Sequence, residues 1–228
     1  MNLPFTIEQF LGVFAAYNVA IWPTQIAAYI LGLTAVAAIG LQQPLSTRLI
    51  LSILAAMWAL NGIGYHFLFF APINPAAKLF AGLFVVQAIL FAASAMATKG
   101  MRFDLDRSFS SVAGAAFIVY AMLIYPILGY VAGHGMLAGP MFGVAPCPTT
   151  IFTIGMLLLA KGRWLAMLAI IPFLWSLVGL AAAVQLGVWE DVALPVAGLV
   201  LLVVTITDLV RSRQNSETAG LTPRQPAE

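Results

Sequence analysis

The chain has 228 residues, 62% of them hydrophobic and 8% charged, with ten Lys or Arg, eight Asp or Glu and two His. A soluble domain carries roughly 25% charged residues, so this composition excludes an ordinary soluble domain, a nucleic-acid binder and a disordered protein. The single Cys excludes an internal disulfide and multi-cysteine metal motifs, and the net charge of +2 signals no anionic partner.

Stretches free of Asp, Glu, Lys and Arg cover 9–47, 49–77, 79–98, 108–160, 164–189 and 192–207. Most are longer than the roughly 20 residues that cross a bilayer core. The expected fold is therefore all-α, a polytopic transmembrane helix bundle forming one domain over 1–213. The opening MNLPFTIEQF has neither the basic start nor the long apolar run of a cleaved signal. Thr6 and Gln9 stand at capping-box spacing, and Phe10, Leu11, Phe14 and Tyr17 recur with helical period. These predict an amphipathic helix over 6–18, lying at the membrane surface and ended by Trp22-Pro23. Seven spans follow, over 24–43, 47–71, 75–97, 109–131, 148–160, 164–186 and 189–210. The tail 214–228 is polar, with no apolar period, and reads as a disordered cytoplasmic segment.

Basic residues set the orientation. Arg48, then Lys99, Arg102 and Arg107, then Lys161 and Arg163, and finally Arg211, Arg213 and Arg224 occupy alternate connections. Nine of the ten basic residues thus share one side, the cytoplasm, and only Lys78 lies opposite. The N-terminus is placed outside and the C-terminus inside. Glu8, His66, Lys78, His134, Cys147, Glu190 and Asp191 then fall in the outer half, which makes an extracytoplasmic site the working hypothesis.

The connection between the fourth and fifth spans is dense in helix breakers: Pro126, Gly129, Gly133, Gly135, Gly139, Pro140, Gly143, Pro146 and Pro148. The helix after it, from Thr149 to Ala160, is about 18 Å long, short of a ~30 Å core. If it reaches Lys161 at the inner face, its outer end stops inside the membrane and GPMFGVAPCP forms a re-entrant segment. The alternative is a surface loop with a tilted fifth span. Cys147, just before this helix, is either a thiol sharpened by the helix N-terminus or a small buried hydrophobe.

Asn61 and Gln87 lie within spans, where such residues are commonly interhelical links. Asn74-Pro75 reads as the start of the third span, and Lys78 in its first turn opposes the helix dipole unless an anion faces it. Gly62-Ile63-Gly64 reads as a close-packing element. His66, His134, Glu190 and Asp191 form the candidate metal set, although no HxxxH or HExxH spacing is present.

The segments AYNVAIWPTQ (16–25), YHFLFFAPINPAAKLFAGLFVVQAIL (65–90) and FGVAPCPTTIFTIGMLLL (142–159) resemble the uncharacterised bacterial membrane-protein family DUF6064 up to about residue 210. The resemblance implies a compact multi-helix membrane protein and carries no activity with it. Its motif residues are Tyr17, Asn18, Trp22, His66, Asn74, Lys78, Gln87, Phe142, Pro146, Pro148 and Thr149.

These observations lead to an inner-membrane, multi-pass permease or solute-binding protein. Its substrate site is expected to use His66, Lys78, Asn18, Tyr17, Thr149, Cys147 and Gln87 for a small polar or anionic solute. No cofactor is expected. Zinc at His66, His134, Glu190 and Asp191 belongs to a rival reading, a metal-dependent hydrolase acting on lipid. A third reading is an assembly partner without chemistry of its own. Beyond the lipid bilayer, the remaining partner to consider is a second copy of the chain, as a homo-oligomer.

Overall fold

The computed structural model describes residues 4–41, 43–97, 101–133, 135–162 and 164–221, so Lys99, His134 and Arg163 lie outside the described residues. Helix α1, Ile7–Ala20, starts as the sequence predicts. The Thr6 hydroxyl accepts from Gln9 N–H at 3.2 Å, and the Gln9 side chain accepts from Thr6 N–H at 2.9 Å. Its inward face is Val13, Phe14, Tyr17 and Asn18. At Trp22-Pro23 the chain turns by 85° into α2, Thr24–Ile39.

Helix α3, Pro44–Ala59, continues as a π-helix over Leu60–Phe70. After it come α4, Ala77–Met96, then α5, Phe109–Val119, which passes through a π-turn at Tyr120–Ile124 into α6, Tyr125–Val131. The short α7, Gly135–Ala138, precedes α8, Pro146–Leu159, and α9, Leu165–Leu186. A 3-10 turn at Trp189–Val192 opens onto α10, Ala193–Leu221, which runs past position 213.

Five helical runs among the described residues are long and apolar enough to cross a membrane: Pro44–Phe70, Ala77–Met96, Phe109–Val131, Leu165–Gln185 and Trp189–Ser212. The bent pair α1–α2 makes a sixth if counted as one span. Seven full spans are not reached because α2 has 16 residues and α8 has 14. At 1.5 Å per residue, α8 is about 21 Å long. Many outward-facing residues are large and apolar. On α10, Val196, Leu199, Val203, Ile206 and Val210 form one exposed stripe, while Leu194, Ala197 and Leu201 are buried. A helix apolar all round, with a continuous exposed apolar face, needs a hydrocarbon solvent. This is the surface of an integral, multi-pass membrane protein.

The short helix α8 is the centre of the bundle. Every residue in it except Cys147 is buried, and it packs against α3, α5, α9 and α10. Its tightest crossing is with α5. A methyl on Gly114 would stand 2.6 Å from the Gly155 carbonyl oxygen, and one on Gly155 would stand 2.8 Å from that of Gly114. Gly62 likewise meets α4 closely, at Phe84 and Ala81, so the Gly-Ile-Gly element does pack helices.

A two-stranded ribbon closes one end of the bundle. Strand β1, Met101–Phe103, pairs antiparallel with β2, Ala160–Gly162, which puts Arg102 opposite Lys161. Two of the basic connections therefore share one end, as alternate-loop topology requires. Beside the ribbon, Lys161 forms an ion pair with Asp106, which also accepts from the Ser108 N–H at 2.9 Å and the Ser111 hydroxyl at 2.7 Å. Lys161, then the serines, hold the Asp106 carboxyl well below the usual carboxylate range.

Candidate functional site

The other end of the bundle gathers α1, the close of the π-helix, the first turn of α8, the last half of α9 and the 189–192 turn. Between them lies a cavity of about 150 Å³. Its polar lining includes His66, Cys147 and Asp191, residues far apart in sequence.

The π-helix explains how His66 reaches the cavity. Its wider turn, visible in the Ala71 N–H donating to the His66 carbonyl at 2.9 Å, buries consecutive side chains. Tyr65 turns to α1 and stacks on Phe14, with ring centroids 4.6 Å apart. His66 turns the other way, into a box of aromatic rings. Its centroid lies 4.7 Å from Phe84, 5.0 Å from Trp175 and 5.8 Å from Phe80. His66 is fully buried, and among the described residues neither ring nitrogen has a hydrogen-bond partner. An unpaired buried polar group costs about 1–3 kcal/mol, which makes this imidazole a candidate binding group.

Asp191 is held on two sides. The Tyr125 hydroxyl donates to it at 2.5 Å, and the Cys147 thiol is within hydrogen-bonding reach of the same carboxylate. Trp175 lines the same cavity as Cys147. The thiol is positioned by Pro146 and Pro148, which begin α8 without needing the N–H groups that a first turn leaves unpaired. The preceding stretch 139–145 is irregular but buried, apart from a half-buried Met141. Its carbonyls find side-chain donors: Asn18 donates to Gly139 at 3.0 Å and Asn61 to Gly143 at 3.3 Å. The Phe142 ring fills the place of the missing side chain on Gly32, and Gly143, at φ +75°, sits against Ala28.

Other residues named from the sequence fall around the cavity or away from it. Tyr17 is buried against Tyr65 and Phe69, one layer from His66. Thr149 is one turn into α8, where its hydroxyl accepts from Asn61 at 3.3 Å. Thr150 and Thr153 donate back to the Pro146 and Thr149 carbonyls, so these hydroxyls already have protein partners. Gln87 donates to the Leu168 carbonyl at 3.1 Å and ties α4 to α9. Lys78 is exposed and does not line the cavity. Glu190 is buried, and its carbonyl accepts from the Tyr120 hydroxyl at 2.8 Å.

Of the metal set, His134 lies outside the described residues. Among those described, no group of three or more His, Cys, Asp and Glu side chains stands close enough to hold an ion. Trp175 and Tyr125 are not among the residues the sequence singles out. Both are aromatics with a polar tip inside an apolar run, and such tips want partners when buried. That signal was present in the sequence.

Comparison with curated proteins and with solved structures finds no match. The family model described as a family of unknown function, DUF6064, matches residues 7–216. That span includes every described polar residue of the cavity, and the chain belongs to the DUF6064 family.

Proposed function

We propose that this protein is a solute-binding membrane protein acting as a small permease of the inner membrane, with its site in the cavity bounded by His66, Cys147 and Asp191. The observation that carries this reading is the buried imidazole of His66, without a hydrogen-bond partner among the described residues, beside a cavity that also holds a carboxylate. The positive-inside rule puts this end of the bundle outside, opposite the Arg102–Lys161 ribbon. A short central helix preceded by buried irregular chain is the arrangement transporters use at binding sites, because such backbone survives at depth only where it is covered or lines a cavity. In this reading the irregular stretch 139–145 leads into α8 as a re-entrant segment. The hydrolase alternative needs an assembled ligand set and gains no support from the described residues.

Purified protein in lipid nanodiscs, screened by thermal shift against small amines, alcohols and carboxylates, tests the reading. Saturable stabilisation by at least one class, lost on His66→Ala and kept on Lys78→Ala, is expected. No stabilisation by any class, or equal stabilisation of the His66→Ala protein, contradicts it.

A further inference from the structure

Resting on that reading, we propose that the cavity takes a small organic cation bearing an N–H, an alkylammonium of about six non-hydrogen atoms. Size comes from the volume. A cavity of about 150 Å³ is the size that accepts a benzene molecule.

Charge comes from what lines the cavity and what does not. Asp191 is its carboxylate, and no Lys or Arg is among its described lining residues; Lys78, between the lining residues Asn74 and Phe80, is exposed and is not one of them. Tyr125 and Cys147 each offer a hydrogen to the Asp191 carboxylate. A carboxylate has about four acceptor positions, so it can still receive an ammonium N–H. An anion entering here would face the Asp191 carboxylate with no Lys or Arg among the described lining residues to offset it.

Aromatic faces supply the second element. Tyr65, Phe70, Phe80 and Trp175 line the cavity, and ring faces attract ammonium groups, Trp most strongly. The third element is His66. A neutral imidazole carries one acceptor nitrogen, and here it is buried and has no protein donor among the described residues. A ligand N–H completes it. A quaternary ammonium would satisfy the rings and leave that nitrogen unpaired, so the ligand is a primary or secondary amine rather than a tetraalkyl cation.

The test is a binding series on wild-type protein in nanodiscs at pH 7.5, where an alkylamine with a pKa near that of Lys, about 10.4, is protonated. Cyclopentylammonium should bind at least tenfold more tightly than cyclopentanol or tetramethylammonium, with butyrate not binding. Asp191→Asn should erase the preference for the amine over the alcohol, and His66→Phe, which keeps the ring, should weaken amine binding severalfold. Equal binding of amine and alcohol to the wild-type protein overturns the cation assignment and leaves the solute-binding reading standing. Equal binding of tetramethylammonium overturns the requirement for an N–H. Failure of all four probes overturns both readings. These comparisons need no variant, so a misfolded Asp191→Asn protein does not blunt them.

Discussion

The Tyr125 hydroxyl donates to the Asp191 carboxylate at 2.5 Å, joining the start of α6 to the turn that opens α10. The two residues are 66 positions apart and both are buried. Through Asp191 the link continues to Cys147 on the central helix. The contact thus couples the cavity wall to three separate helical elements.

Tyr125→Phe removes this donor and leaves the ring packing intact. Losing one hydrogen bond to a buried carboxyl group should cost about 1–3 kcal/mol. Unfolding of purified protein in detergent, followed by tryptophan fluorescence, should show that loss. Wild-type stability would mean the bond has no energetic role.

The Gly114–Gly155 crossing makes an opposite prediction to helix propensity. Ala is favoured over Gly in a helix by about 1 kcal/mol, yet a methyl at Gly155 collides with the Gly114 carbonyl at 2.8 Å. A backbone atom cannot rotate away, so Gly155→Ala should destabilise by about 1–3 kcal/mol. A methyl on Gly82 would meet nothing within 4 Å, and Gly82→Ala should be neutral or slightly stabilising. The two melting temperatures, measured side by side, check the sign.

Asp106 predicts a pH dependence. Its carboxyl is lowered by Lys161, Ser108 and Ser111, so the folded state favours the charged form. That contribution is present above the unfolded carboxylate pKa, about 3.9, and fades as pH falls through the lower folded value. The difference in melting temperature between wild type and Asp106→Asn should therefore be constant from pH 7 to 5 and shrink below about pH 4. The pair is solvent-exposed, so the difference should be small and weaken with salt.

Much of the fold is legible in the sequence, since a helix in hydrocarbon must be apolar over a length the bilayer sets. The range 109–131 matches Phe109–Val131, and 164–186 nearly matches Leu165–Leu186. The breakers up to Pro148 mark the approach to a short helix, although Pro126 and Gly129 lie inside α6, and the capping box marks the start of α1. Helix lengths are harder to read. Apolar composition continues through Gly40 and Leu41, whereas α2 stops at Ile39, so hydropathy overstates the span.

The site is legible only in part. His66, Cys147 and Asp191 stand out as polar groups in apolar surroundings, and all three line the cavity. Lys78 stands out for the same reason, but its position in the first turn of α4 does not fix which way it faces, and it faces out. Trp175 and Tyr125 read as ordinary apolar residues because hydropathy counts the ring and ignores the polar tip. Their places follow from neighbours far along the chain: Trp175 lines one cavity with Cys147, and Tyr125 donates to Asp191, 66 residues away.

The central claim is that the cavity opens on the side opposite the basic ribbon. Gln185 lines it and is exposed, while Arg102 is exposed on β1. With Cys147 replaced by Ser, Gln185→Cys and Arg102→Cys can be labelled separately by a membrane-impermeant thiol reagent in right-side-out vesicles. The account predicts that Gln185→Cys reacts before lysis and Arg102→Cys only after it. Reaction of both from the same side, or of Arg102→Cys alone before lysis, contradicts it.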